Sequence, residues 1–244
     1  MATEPMLTGR IPRECIRMLE IPRVEAGILD AFRALVDLTG TLSDAMDELG
    51  LVGVIPAAVL APNLRGARVV GQAITVRNVE RQESVLRSAR GKQNRMGETE
   101  AYNLAQAGDV VVIEGLMGMS NMGGQSATLA HRQGCAGAII DGSYRDPDAS
   151  REIAFPIWAR GVTPVTGKWR LETVEVNGRV RVGGVAVAAG DIVAADEAGI
   201  AIVPREEVAA VLAEARRIDE GDRRRKQDIA AGVALAALNR RQYK

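Results

Sequence analysis

The chain has 244 residues with 31 Lys plus Arg against 31 Asp plus Glu, so a formal net charge of +0 gives no general attraction to nucleic acid or an anionic membrane. Aromatics make up 3% of the residues, too few for a single-strand stacking platform, and two cysteines with one histidine exclude a disulfide framework and a multi-histidine zinc site. No stretch reaches the roughly 18 uninterrupted apolar residues of a membrane span and the N-terminus lacks a signal-peptide pattern, which predicts a cytoplasmic protein without a membrane or nucleic-acid partner.

Glycine, alanine and valine dominate the remainder and favour compact α/β layering. Prolines at 5, 12 and 22 make the start an arm, of a kind that often docks on a neighbouring subunit. Ile28, Phe32, Leu35 and Val36 then recur at helical spacing up to a stop at Gly40. TLSDAMDELG reads as a second helix, capped by Thr41 and closed by Gly50. A strand is expected over 68–76, with Gly71 marking a bulge or a close backbone approach. Residues 80–100 are a charged, solvated excursion leading into a helix over 98–107. Asp109 turns the chain into a buried strand, and 109–140 reads as one strand, glycine loop, helix and strand of the βαβ kind. Beyond Pro156 the texture is of short strands with little helical cover, with Asn177-Gly178 in VEVNGRVRV giving a two-residue hairpin signal. The stripe Val208, Val211, Leu212, Ala215 and Ile218 predicts an amphipathic helix. DEGDRRRK follows as a solvated junction before a last alanine-rich helix, since its acids are interleaved with its basic residues.

Two stretches carry candidate chemistry. Gly118, Gly123 and Gly124 precede the helix that starts near Gln125, where unpaired amides favour an anion; a tight connection needing positive φ is the competing reading. Neither a G-x-G-x-x-G nor a phosphate-loop pattern is present. DGSYRDPDA follows the second strand of the unit, where ligands of α/β folds gather. In an extended turn the Arg145 and Asp146 side chains diverge. The guanidinium then faces a carboxylate or enolate oxygen, and the carboxylate holds Mg²⁺ or Mn²⁺. A capped turn before Pro147 is the alternative. Cys135 and His131 read as structural.

The run GGQSATLAHRQGCAGAIIDGSYRD resembles the segment shared by 4-hydroxy-4-methyl-2-oxoglutarate aldolase and the regulator of ribonuclease E activity A, the RraA-like family, whose members are often mislabelled demethylmenaquinone methyltransferase. TLSDAMDELG, RVVGQAITV, AGDVVVIEG, FPIWARG and GGVAVAAGDIVAADEAGIAIVP follow in the family's order. The resemblance implies an arm and helix over 1–40, an RraA-like α/β/β catalytic domain over 41–204, and C-terminal helices over 205–244 that pack on the domain or a neighbouring subunit. It implies an α-β-β-α sandwich related to the swivelling β/β/α domain, assembled as a homotrimer or homohexamer with sites at subunit boundaries.

The same resemblance places Gly123, Gln125 and Ser126 as backbone binders of a pyruvyl carboxylate, Arg145 as the arginine on pyruvate, and Asp146 as the metal ligand. Gly124 departs from the family, whose aldolases carry an acid after the loop glycine. Glu220 is the candidate for an acid supplied by a neighbouring subunit. The expected function is a divalent-metal-dependent lyase, with Mg²⁺ or Mn²⁺, cleaving a small 2-oxo acid through a pyruvate enolate by retro-aldol reaction or oxaloacetate decarboxylation. The alternative is a non-catalytic, protein-binding regulator of a ribonuclease, a branch that generally lacks the Asp146 carboxylate.

Overall fold

The computed structural model describes residues 6–243. Its centre is β3 (Val69–Glu80), a twelve-residue strand long enough to serve two layers. The first residues of β3 pair antiparallel with β10 (Ile192–Ala195), Val70 opposite Ala194; its middle pairs parallel with β4 (Val110–Glu114), Ile74 opposite Val111. From β4 the sheet continues in parallel to β5 (Gly137–Tyr144) and β6 (Ile157–Val162), with β2 (Ala61–Pro62) antiparallel at the edge. From β10 it continues through β11 (Gly199–Val203) to β1 (Val54–Pro56), while β7 (Leu171–Val176) lies antiparallel to the end of β3.

Side-chain alternation assigns each strand face to a different core. Val110, Val112, Ile139 and Trp158 point inward to meet Val193, Ala195, Ile200 and Ile202, so the two halves of the sheet pack face to face. The other face of β4 and β5, with Val111, Ile113, Ala138 and Ile140, packs under α4 (Glu98–Leu104), α5 (Gly124–Arg132) and the arm. The other face of β10 and β11, with Ile192, Ala194, Ala201 and Val203, packs under α1 (Ala26–Arg33), α2 (Leu38–Glu48) and α7 (Val208–Ala230). Helix, sheet, sheet and helix are therefore stacked, which is the expected α-β-β-α sandwich. Each fully buried Ile or Val contributes about 1.5–3 kcal/mol to holding these layers.

Several local expectations are corrected. The arm packs on its own chain: Ile11, Ile16 and Ile21 enter the core beneath α4, and Arg23 pairs with buried Asp109 at 2.5 Å. Gly40 does not end a helix but sits in the first turn of α2, and Thr41 donates its N–H to Asp37 O (2.9 Å) instead of capping. The amide near that helix start is satisfied from far along the chain, by Asp196 accepting from Thr39 N (3.0 Å), which propensity cannot foresee. Asn177-Gly178 makes a turn, with Asn177 at φ 56°, but no hairpin, because β7 pairs with β3 while β8 (Val180–Val182) pairs with β9 (Val185–Val187). The two-residue hairpin is at Gly183-Gly184, whose φ values of 57° and 88° suit glycine. The later strands are well covered by helices, and α7 runs unbroken through the charged segment before the short α8 (Leu235–Leu238). The 80–100 excursion contains its own helix, α3 (Val85–Arg90). Gly71 is a close approach, since a Cβ there would lie 2.0 Å from Gly108 O.

Candidate active site

The parallel strands β4 and β5 end side by side, and each feeds a loop that turns into a helix, α5 and α6 (Pro147–Glu152). The two loops are laced together by Asn121, which is fully buried. Its Nδ2 donates to Leu116 O (2.9 Å) and Ser143 O (3.0 Å), and its Oδ1 accepts from Leu116 N (3.2 Å). Gly115 and Gly142 flank it because a Cβ at either would lie 2.4 or 2.6 Å from the Asn121 side chain. Arg145 N donates to Met122 O (3.0 Å), bringing the second loop against the start of α5.

That contact fixes the residues expected to carry chemistry. Asp146 adopts left-handed backbone geometry at φ 57°, and its Oδ2 accepts from Gly124 N at 2.9 Å. The turn is thus not extended, and Arg145 and Asp146 do not diverge: Arg145 Nε lies 3.3 Å from Asp146 Oδ2. Glycine at 123 lets the guanidinium edge lie close against the loop, since a Cβ would lie 2.9 Å from Arg145 Nε. Gly124 N is taken by Asp146, whereas the amides of Gln125 and Ser126, the next donors of the helix start, have no acceptor among the described residues. The Arg145 Nη atoms and Asp146 Oδ1 likewise have no partner among the described residues, and the two side chains remain 34% and 47% exposed.

Beside these groups lies a cleft of about 250 Å³ shared by the arm, α4, α5 and the connection from β6 to β7. Gly123, Gln125, Ser126 and Arg145 line it, joined by Arg10 and Lys168. Three cations face one acid, Glu98, so the cleft favours an anionic ligand of small size. Gly167 closes the wall by backbone proximity, a Cβ there falling 2.1 Å from Ser120 O.

Glu98 and Tyr102 are missed by sequence reasoning. They lie four residues apart on one face of α4, against Ser126 of α5. Ser126 Oγ donates to Glu98 Oε1 (3.1 Å), so the 2.9 Å contact between Tyr102 Oη and Ser126 Oγ has the phenol as donor. The Ser126 hydroxyl is therefore engaged, whereas its backbone amide has no acceptor among the described residues. Burial raises the Glu98 carboxyl above its ordinary value, partly offset by its own backbone amide, Ser126 and Arg10. Burial, together with the Glu98 charge, raises Tyr102 well above its usual value. The discernible signal was a Glu and a Tyr at helical spacing on the buried side of a short helix.

Other candidates sit elsewhere. Glu220 lies on α7 beside Arg216, Asp219 and Arg223, in a groove against α1 and not in this cleft. The Cys135 thiol is buried and pushed up to about 12 by burial and by Asp109, which fits a structural role. His131 packs edge-on against Phe155, its ring centroid 6.2 Å away.

As to metal, no group of three or more His, Cys, Asp or Glu side chains converges among the described residues. The donor set is one exposed carboxylate, oriented by a backbone amide and keeping one free oxygen. That suits a hard ion such as Mg²⁺ or Mn²⁺, which retains waters and completes its shell with substrate oxygens.

A double sheet flanked by helices, with a cation-lined cleft where two parallel strands end, defines an α/β protein with its candidate site at the strand ends. The Aldolase/RraA profile, described as RraA-like, matches residues 39–202, and the chain belongs to that family. A Halalkalibacterium halodurans protein provisionally named 4-hydroxy-4-methyl-2-oxoglutarate aldolase is 29% identical over 213 residues, spanning 86% of this chain and 92% of its own length. A Thermus thermophilus protein named 4-hydroxy-4-methyl-2-oxoglutarate aldolase is 32% identical over 100 residues, 40% of this chain and 60% of its own. Among solved structures, an uncharacterized protein from Pseudomonas syringae pv. tomato superposes with a TM-score of 0.75 at 26% identity, covering 89% of this chain and 99% of that one. Streptomyces coelicolor RraAS2, described as an unusual member of an RNase ES inhibitor family, superposes at 0.67 with 23% identity over 86% of this chain and 98% of its own, and shares the fold.

Proposed function

We propose that the chain is a divalent-metal-dependent lyase that cleaves a small 2-oxo acid through a pyruvate enolate, by retro-aldol cleavage of a 4-hydroxy-2-oxo diacid or by decarboxylation of oxaloacetate. The observation that carries the reading is the convergence of the free Arg145 fork and the amides of Gln125 and Ser126 on one cation-rich cleft, with the oriented Asp146 carboxylate held beside it against Arg145 and the Gly124 amide. The names of the two aldolase relatives support the same reaction class.

In this reading the Gln125 and Ser126 amides hold the substrate carboxylate at the positive end of α5. Arg145 donates to the keto oxygen, whose charge grows as the bond to C3 breaks, and a donor of this kind is worth about 3–4 kcal/mol in the transition state. Asp146 would hold the divalent ion, which supplies Lewis-acid polarisation of the 2-oxo group. Asp146 also spaces Arg145 correctly, because its Oδ2 is shared between the Gly124 amide and the guanidinium edge.

Purified protein incubated with oxaloacetate and with 4-hydroxy-4-methyl-2-oxoglutarate, in Mg²⁺, Mn²⁺ or chelator, tests the proposal. Metal-dependent pyruvate release from at least one substrate is expected. No release from either in any metal would return the chain to the ribonuclease-regulator reading.

A further inference from the structure

A retro-aldol cleavage needs a base for the C4 hydroxyl proton, and the loop cannot provide one. A Cβ on Gly124 would lie 2.7 Å from Ala149 Cβ and 3.2 Å from Asp146 Cβ, so α6 leaves no space for an acidic side chain at this position. The cleft nevertheless contains one carboxyl group, brought from a different element, and it has no structural ion pair. Glu98 is 9% exposed; its Oε1 is anchored by Ser126, while Oε2 is buried without a hydrogen-bond partner. An unpaired buried carboxyl oxygen costs stability, so its retention beside an anion-binding cleft calls for a use.

We infer that Glu98 is the proton-transferring residue of the cleft, taking the C4 hydroxyl proton of the substrate and returning it to C3 of the enolate. The inference rests on the lyase reading above. The O–H pair becomes the new carbonyl bond at C4, the C3–C4 pair becomes the C2–C3 double bond of the enolate, and the proton resides on Glu98. When the enolate collapses, C3 takes that proton and Glu98 is again a carboxylate. The balance therefore closes without any further reactant. Rotation about the terminal χ angle, which is broad for Glu, exchanges the anchored and free oxygens. Tyr102, donating through Ser126, supports the charged form and positions the group. The charged side chains that share the cleft with Glu98 are Arg10 from the arm, which acts on its charge, Arg145 from the end of β5 and Lys168 from the β6–β7 connection. Burial keeps its proton affinity above that of a solvated Glu, in the direction a base working near neutral pH requires.

Decarboxylation separates this role from a structural one, because losing CO₂ from oxaloacetate requires no hydroxyl deprotonation and the enolate can be protonated by solvent. With Mg²⁺, Glu98→Gln is expected to lower kcat for 4-hydroxy-4-methyl-2-oxoglutarate by roughly 10²–10⁴ while oxaloacetate decarboxylation falls less than about tenfold. The acidic limb of the wild-type aldol kcat/KM profile, set above the ordinary Glu value of 4.5, should vanish in the variant, and Glu98→Asp should retain a weakened limb.

The stability readout has its own sign. A raised folded pKa means that the favourable protonated state is present below the unfolded pKa and lost as pH rises through the folded one. Glu98→Gln should therefore raise Tm at pH 7 relative to wild type but not at pH 4. Equal losses on both substrates, no loss on either, or a wild type that decarboxylates without aldol cleavage would each overturn the role of Glu98 and leave the lyase reading standing. A wild type inactive on both substrates would remove both proposals.

Discussion

Arg145 has two nitrogens free to address one oxygen or two, and its Nε edge is fixed by Asp146, so its planarity matters as much as its charge. Lysine keeps the charge, loses the fork and cannot reach Asp146 in the same geometry. Arg145→Lys should therefore lower kcat by about 10² with a smaller change in KM, because the interaction strengthens as charge develops on the keto oxygen. Steady-state kinetics on oxaloacetate check this, and an unchanged kcat with a raised KM would reduce Arg145 to a ground-state binder. Asp109 makes the opposite use of an arginine. Its side chain is 4% exposed, accepts from Gln106 N (2.7 Å) and is paired by Arg23, so the pair locks the arm under the body of the protein. Arg23→Ala leaves a buried carboxylate short of its partner and should cost roughly 2 kcal/mol or more, lowering Tm by about 4–8 °C in a thermal melt.

At the scale of elements, the site arises from two loops that follow adjacent parallel strands, a relationship visible in the order of apolar runs before any contact is known. The spacing from Gly123 to Asp146 spans one helix and one strand, so both loops of the site belong to the same unit. The helical half of the acid–base machinery was not legible. Glu98 looks like any first-turn acid of a short charged helix, and only packing of α4 on α5 reveals that its carboxyl is buried against Ser126. The same limitation explains Asn177-Gly178 and Gly40. Local chemistry names the turn or the flexible position, but strand partners and the remote carboxylate of Asp196 decide what the chain does there. Arg145 and Asp146 are expected from the sequence to diverge, but the left-handed backbone at Asp146 swings its carboxylate back to the Arg145 edge and the Gly124 amide.

For the whole molecule, the four stacked layers close three apolar cores, yet Val162 at the end of β6 and Met117 and Val165 on the connections after β4 and β6 stay exposed. Patches of this kind mark contact surfaces, and we propose that copies of the chain meet there as a trimer or hexamer. Light scattering should give three or six chains of 26.0 kDa each, and a monomer at micromolar concentration would contradict it.

The most direct measurement is the rate of pyruvate formation from oxaloacetate by wild type and Asp146→Asn, each in Mn²⁺ and in excess EDTA. Asn preserves a side-chain oxygen for the Gly124 amide while removing the charge, so the turn can persist as metal affinity is lost. The account predicts turnover by the wild type in Mn²⁺, none in EDTA, and none by Asp146→Asn in either; full activity of the variant, or of the wild type in EDTA, would contradict it.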